Sequence, residues 1–173
     1  MGRKVISFSL NSKDISSAIK ELEKYKKEIL IKEKLLLERL AMIGVHEASI
    51  RFTTAMYDGV NDVNVSLDKT ANGYAIVANG TAVAFIEFGS GVYHNASGSY
   101  PLPKPAGVVG IGEYGEGKGK RRAWFYKGEP GTNGEQQKNG VVKTRGNPAA
   151  MPMWYASEEM KKSILQIARE VFG

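Results

Sequence analysis

The stretch "AFIEFGSGVYHN", residues 84–95, sets an aromatic–carboxylate–aromatic run directly against Gly89-Ser90-Gly91. Two readings compete. Either the glycines cradle a ligand, with Glu87 and His94 as its chemistry, or they close a structural corner. In the longer run "TAVAFIEFG", residues 81–89, the spacing of Ala82, Val83, Phe85, Ile86 and Phe88 fits a short buried helix as well as a strand. The alanines and the terminal Gly89 favour a helical turn closed by a glycine C-cap. Phe85 and Phe88 then anchor the turn, while Gly89 and Gly91 supply backbone angles denied to other residues. Glu87 is expected to hold a buried or interface hydrogen bond.

Upstream lies an antiparallel hairpin. "DVNVSL" alternates Val63, Val65 and Leu67, and after the polar turn "DKTANG", "YAIVAN" alternates Tyr74, Ile76 and Ala78. Before it, residues 11–57 read as helical. Asn11, Ser12 and Asp14 are good N-cap types, and Ile15, Leu22, Ile29, Leu36, Ile43 and Ile50 recur every seventh residue. Ile19 and Leu40 widen the stripe; Lys26, Glu33 and Glu47 interrupt its second row. A seam of this period packs one narrow face on something else, within the domain or on a second subunit. One unbroken helix would span about 70 Å at 1.5 Å per residue. Gly44 favours a break into two helices, since an interior glycine costs about 1 kcal/mol.

Downstream the composition shifts. Residues 92–147 are rich in glycine and read mostly as an extended loop excursion. "RRAWFYKG" and "GVVKTRG" are strand candidates there, able to pair around "EPGTNGEQQKN". "NPAAMPMWYASEEMKKSILQIAREVF", residues 147–172, is a proline-punctuated entry into a terminal helix with Tyr155, Met160, Ile164, Ile167 (or Leu165) and Val171 on its apolar face. The whole, residues 1–173, reads as one α+β domain: a small antiparallel sheet packed by the N-terminal helical region and a C-terminal helix.

Composition narrows the chemistry. The chain has 173 residues and no cysteine, which excludes disulfides, thiolate metal sites and cysteine nucleophiles. No run of about 18 apolar residues would span a membrane. The start, "MGRKVISFSLNSKD", is too poor in apolar residues for a secretory signal, so an intracellular product is expected. Of the net charge of +6, most belongs to residues 100–146 rather than to the helical region, where lysine and glutamate nearly cancel.

Catalytic signatures fail on context. "GIGEYG", residues 110–115, matches the dinucleotide-binding pattern, but "EGKGKRR" after it cannot begin an amphipathic helix. Ser90 lacks the frame of a nucleophile elbow. His46 and His94 are too few for a metal site. Glu87 with Asp58 or Asp62 would make an acid–base pair, yet no spacing brings them together. No catalytic residue, cofactor or metal is therefore expected. The basic run Lys118, Lys120, Arg121 and Arg122, interleaved with Trp124, Phe125 and Tyr126, suits phosphate contacts and base stacking. The plainer reading buries those aromatics against the domain or a neighbour, and the lack of a nucleic-acid-binding fold around them favours it.

With Phe85, Glu87, Phe88, Gly89, Ser90 and Gly91, and then Pro148, Ala149, Met151, Pro152, Met153, Trp154 and Ala156, the chain resembles the head–tail joining (neck) proteins of tailed bacteriophages, also described as minor capsid or tail-completion proteins. The likeness covers roughly Val63 to Phe172. Methionines and Trp154 stand where the family more usually carries arginine and phenylalanine. The resemblance implies a structural virion component, made in the host cytoplasm. It would form a multi-copy ring between the connector or head-closure protein and the tail terminator or tail tube protein, around a channel that DNA crosses. Ile15, Leu22, Ile29, Leu36, Trp124, Phe125 and Tyr126 would then be interface residues, and Lys118, Lys120, Arg121 and Arg122 would face DNA. The alternative is a nucleic-acid-binding accessory protein acting through residues 118–127.

Overall fold

The computed structural model describes residues 9, 11–89, 123–132 and 134–173. It mixes three α-helices with two small antiparallel sheets. The expected α+β class holds, with two sheets where one was expected.

Helix α1 (Ser12–Thr54) starts at Asn11, whose side-chain oxygen accepts the Asp14 N–H at 2.9 Å, and Asp14 places a negative charge in the first turn. It ends at Phe52–Thr54, where the Asn61 side-chain amide donates to the Phe52 carbonyl at 2.7 Å. The expected break at Gly44 does not occur. Gly44 is buried, and a Cβ there would lie 2.2 Å from Ile76 Cδ1 and 2.8 Å from Met160 Sδ. The missing side chain admits both neighbours, and that contact offsets the glycine's propensity cost.

Nor does the buried face follow the seven-residue row. Ala41, Gly44, Ala48 and Phe52 are buried, whereas Ile50 is 46% exposed. Seven residues of a straight helix fall about 20° short of two full turns, so the row drifts off the core. An 11-residue spacing drifts more slowly, overshooting three turns by about 20° in 11 residues: Leu37 lies near Ala48, and Ala41 near Phe52. Traced back, it passes through Ile15, Ile19, Leu22, Lys26, Leu30 and Glu33.

β1 (Asn64–Thr70) and β2 (Gly73–Asn79) form the expected hairpin in the register Val65–Ala78 and Leu67–Ile76. The ladder runs on through Asp68 and Lys69, leaving Ala71-Asn72 as the turn. α2 (Val83–Phe88) is the expected helical turn, followed by Gly89 at φ 75° and ψ 170°. In the second sheet β3 (Trp124–Lys127) pairs with β5 (Val141–Thr144), as anticipated, and β4 (Glu135–Gln136) adds to the other edge of β5. Its connecting tip folds onto the α1–β1 junction, where the Thr132 N–H donates to the Tyr57 carbonyl at 2.9 Å. Gly131 makes this approach possible: at φ 61°, any Cβ would sit 2.3 Å from that carbonyl oxygen.

α3 (Pro152–Phe172) runs antiparallel to α1, as its contacts show: Met160 beside Gly44, Glu170 bridged to Arg39 at 2.6 Å, and the Phe172 ring 5.9 Å from Lys32 Nζ. Its inner face is Pro152, Ala156, Ile167 and Val171. Tyr155, Ile164 and Leu165 from the expected face are exposed. Tyr155 lies outside the core because its ring stacks 3.9 Å from the Arg51 guanidinium. The core proper is Ala48, Phe52, Ala82, Ile86 and Ala156, where the three helices meet. Burying Phe52 and Ile86 contributes about 1.5–3 kcal/mol each.

Candidate functional site

Residues 84–89 lead into a junction braced by three carboxylates. Glu87, in the last turn of α2, is 3% exposed. Its two oxygens accept the backbone N–H groups of Met153 at 2.8 Å and Trp154 at 3.1 Å, capping an α3 terminus that has no side-chain cap of its own. The negative charge also meets the positive end of the helix dipole. The chain reaches that terminus tightly. The Ala150 N–H donates to the Ile86 carbonyl at 2.9 Å, Met151 turns left-handed at φ 53°, and buried Pro152 opens the helix. A Cβ at Gly89 would lie 2.7 Å from Ala149 N, so the corner takes only glycine.

Asp62 does the same for α2. It accepts from Thr81 N at 2.8 Å, Thr81 Oγ1 at 2.7 Å and Ala82 N at 2.9 Å. Those backbone N–H bonds first, then the hydroxyl, pull its pKa down to about 2. Asp58, buried, ties in the second sheet. Its carboxylate accepts from Thr144 Oγ1, its N–H donates to Asn147 Oδ1 at 2.8 Å, and Thr144 Oγ1 accepts the Gly146 N–H at 3.0 Å.

Beside the junction lies an open cleft of about 430 Å³, walled by Tyr57, Asp58, Phe85, Phe125, Tyr126 and Asn147. Burial first, then the charges of Asp62 and Asp58, raise the pKa of Tyr57. Burial and then Asp58 raise that of Tyr126, whose hydroxyl donates to the Glu129 carbonyl at 2.6 Å. Both phenols therefore stay neutral at physiological pH.

The structure thus brings Asp58 and Asp62 near Tyr57 and engages Glu87 with the α3 terminus. Among the described residues no group of three His, Asp or Glu side chains is placed to hold a metal, and none of the helices there is long and apolar enough to cross a membrane. His46 is exposed on α1. Of the other residues singled out by sequence, Ile15 and Leu22 are exposed, and Ile29, Leu36, Phe88 and Trp154 half-buried. Lys161 Nζ stands 5.4 Å from the Trp154 ring. Phe125 is exposed and Tyr126 half-buried. Trp124 takes part in β3. Ser90, Gly91, His94, Lys118, Lys120, Arg121 and Arg122, and the "GIGEYG" run, lie outside the described residues. Sequence reasoning missed Thr144, Asn147 and Asn61. Only Asn147, preceding Pro148, carried a turn signal.

No protein-family model, curated protein or solved structure matches the chain. The residues and their geometry carry the functional argument alone.

Proposed function

We propose that this protein is an architectural component of a multi-copy assembly, and specifically a ring-forming neck protein that joins the head of a tailed phage to its tail. One observation carries the reading. α1 is 43 residues long, while α3 reaches only to Lys32 and the hairpin turn only to the neighbourhood of Leu30. Beyond that level, Ile15, Ile19 and Leu22 are 38%, 52% and 55% exposed. An apolar stripe of this kind marks a surface that another protein covers. The junction agrees with an architectural role: its carboxylates hold helix termini and a loop, and do no bond chemistry. The motif around Glu87 joins α2 to α3 so tightly that it serves as a rigid platform, which a load-bearing part requires. Ring assembly uses heterologous contacts that close by rotation.

The test is to purify phage-like particles from the source cells on a density gradient and look for this chain by peptide mass spectrometry. Stoichiometric co-sedimentation with capsid and tail proteins is expected. Absence from intact particles would overturn the neck reading and put salt-sensitive DNA binding by residues 118–127 in its place.

A further inference from the structure

The 11-residue face of α1 has two charged positions, Lys26 and Glu33, and both are exposed. Toward the C-terminus, Leu37 on this face and Leu40 beside it are half-buried. They line an apolar groove of about 500 Å³ between α1, β2 and α3, whose walls include Ile76, Met160 and Ile164. At Gly44 the side chains of Ile76 and Met160 close on the helix. Toward the N-terminus the same face bears Ile15, Ile19 and Leu22, exposed. One helix therefore carries both an apolar ridge and the floor of an apolar groove, separated by one cation and one anion.

We infer that two copies of the chain pair through α1, antiparallel, with Lys26 of each opposite Glu33 of the other. That ion pair fixes the register. Leu22 then meets Leu37 of the second copy, Ile19 meets Leu40, and Ile15 stops at Gly44, where Ile76 and Met160 close on the helix. At the two-fold axis Ile29 meets Leu30. Each ridge lies in the partner's groove as an amphipathic helix does in a binding cleft. A parallel, in-register pair would instead set Lys26 against Lys26 and Glu33 against Glu33, which charge repulsion disfavours. The contact is isologous and closed. It covers the same exposed stripe from which the neck reading is argued, and by itself it builds no ring.

Sedimentation equilibrium on the full chain tests this, with circular dichroism to check that each variant is folded. The wild type is expected to dimerise. Lys26→Glu and Glu33→Lys each set two like-charged pairs across the axis and are expected to weaken the dimer roughly tenfold or more. The double exchange, Lys26→Glu with Glu33→Lys, restores it. The chain has no cysteine, so engineered thiols report register cleanly. Lys26→Cys mixed with Glu33→Cys is expected to give the mixed disulfide in preference to either homodisulfide. A monomeric wild type, a double exchange that fails to restore pairing, or a preferred Lys26→Cys homodisulfide would each overturn the proposal. None of these results bears on whether the chain is found in particles.

Discussion

Glu87 closes one helix and opens another. As the last acidic residue of α2 it accepts two N–H groups of α3, which lie 66 and 67 residues away in sequence. Glu87→Ala leaves both donors without this acceptor in a buried setting, which should cost about 2–3 kcal/mol. Glu87→Gln keeps one oxygen and loses the charge, for about half that loss. Urea unfolding followed by tryptophan fluorescence and by far-ultraviolet dichroism checks the order wild type, Gln, Ala. A Gln variant as unstable as Ala would mean that charge against the helix dipole, not the hydrogen bonds, holds the terminus. The buried character of Glu87 was legible from its place between Phe85 and Phe88. Its partner was not, because no local pattern points from a short helix to a terminus that far along the chain.

At the scale of elements, α1 is two helices in energetic terms although one in geometry. Its C-terminal half packs through Ala41, Gly44 and Ala48, small residues that let α3 and β2 come close. Ala48→Leu overfills that contact and should lower stability by about 1–3 kcal/mol. Ile19→Gln with Leu22→Gln, in the half beyond α3, should change the unfolding free energy of the dilute chain by no more than about 0.5 kcal/mol. Thermal melts of the two variants side by side make the comparison. Equal losses would mean the N-terminal half is folded into the core. The sequence misdirected here for a definite reason: isoleucine and leucine at every seventh position stand out, whereas a face built from alanine and glycine looks like nothing in particular. The hairpin was legible because Val63, Val65 and Leu67 alternate against Tyr74, Ile76 and Ala78. β4 was not, having only Glu135 and Gln136 to announce it.

At the scale of the whole molecule, four acidic groups among the described residues share one direction of response to pH. Asp62 is held at about 2 by the N–H groups of Thr81 and Ala82. Glu135 is lowered by its hydrogen bonds to Lys143 and Arg145, Glu170 by Gln166 and then Arg39, and Asp14 by Ser9 and then Asn11. Each binds its proton more weakly folded than unfolded. The stability they contribute is therefore complete above the ordinary carboxylate range, about 4, and is lost as pH falls toward the folded values. The melting temperature should decline from about pH 4 downward, and Asp62→Asn should flatten part of that decline. A wild-type midpoint constant from pH 5 to 2 would sink this account. The class of the fold was readable from the order of patterns along the chain, since each element needs only its neighbours to be recognised. These braces were not readable, because every one joins segments that meet only after the helices have packed.

α3 and the hairpin brace α1 as far as Lys32 and Leu30, and the remainder of the helix is a lever. From Leu30 to Ser12 the arm is about 27 Å. A tilt of about 10° at the fulcrum sweeps its tip through about 5 Å at that length. A small change in packing where α1 leaves α3 and the hairpin is thereby magnified at the far end, and the position of Ile15 in space is decided by the contacts around Lys32 and Leu30.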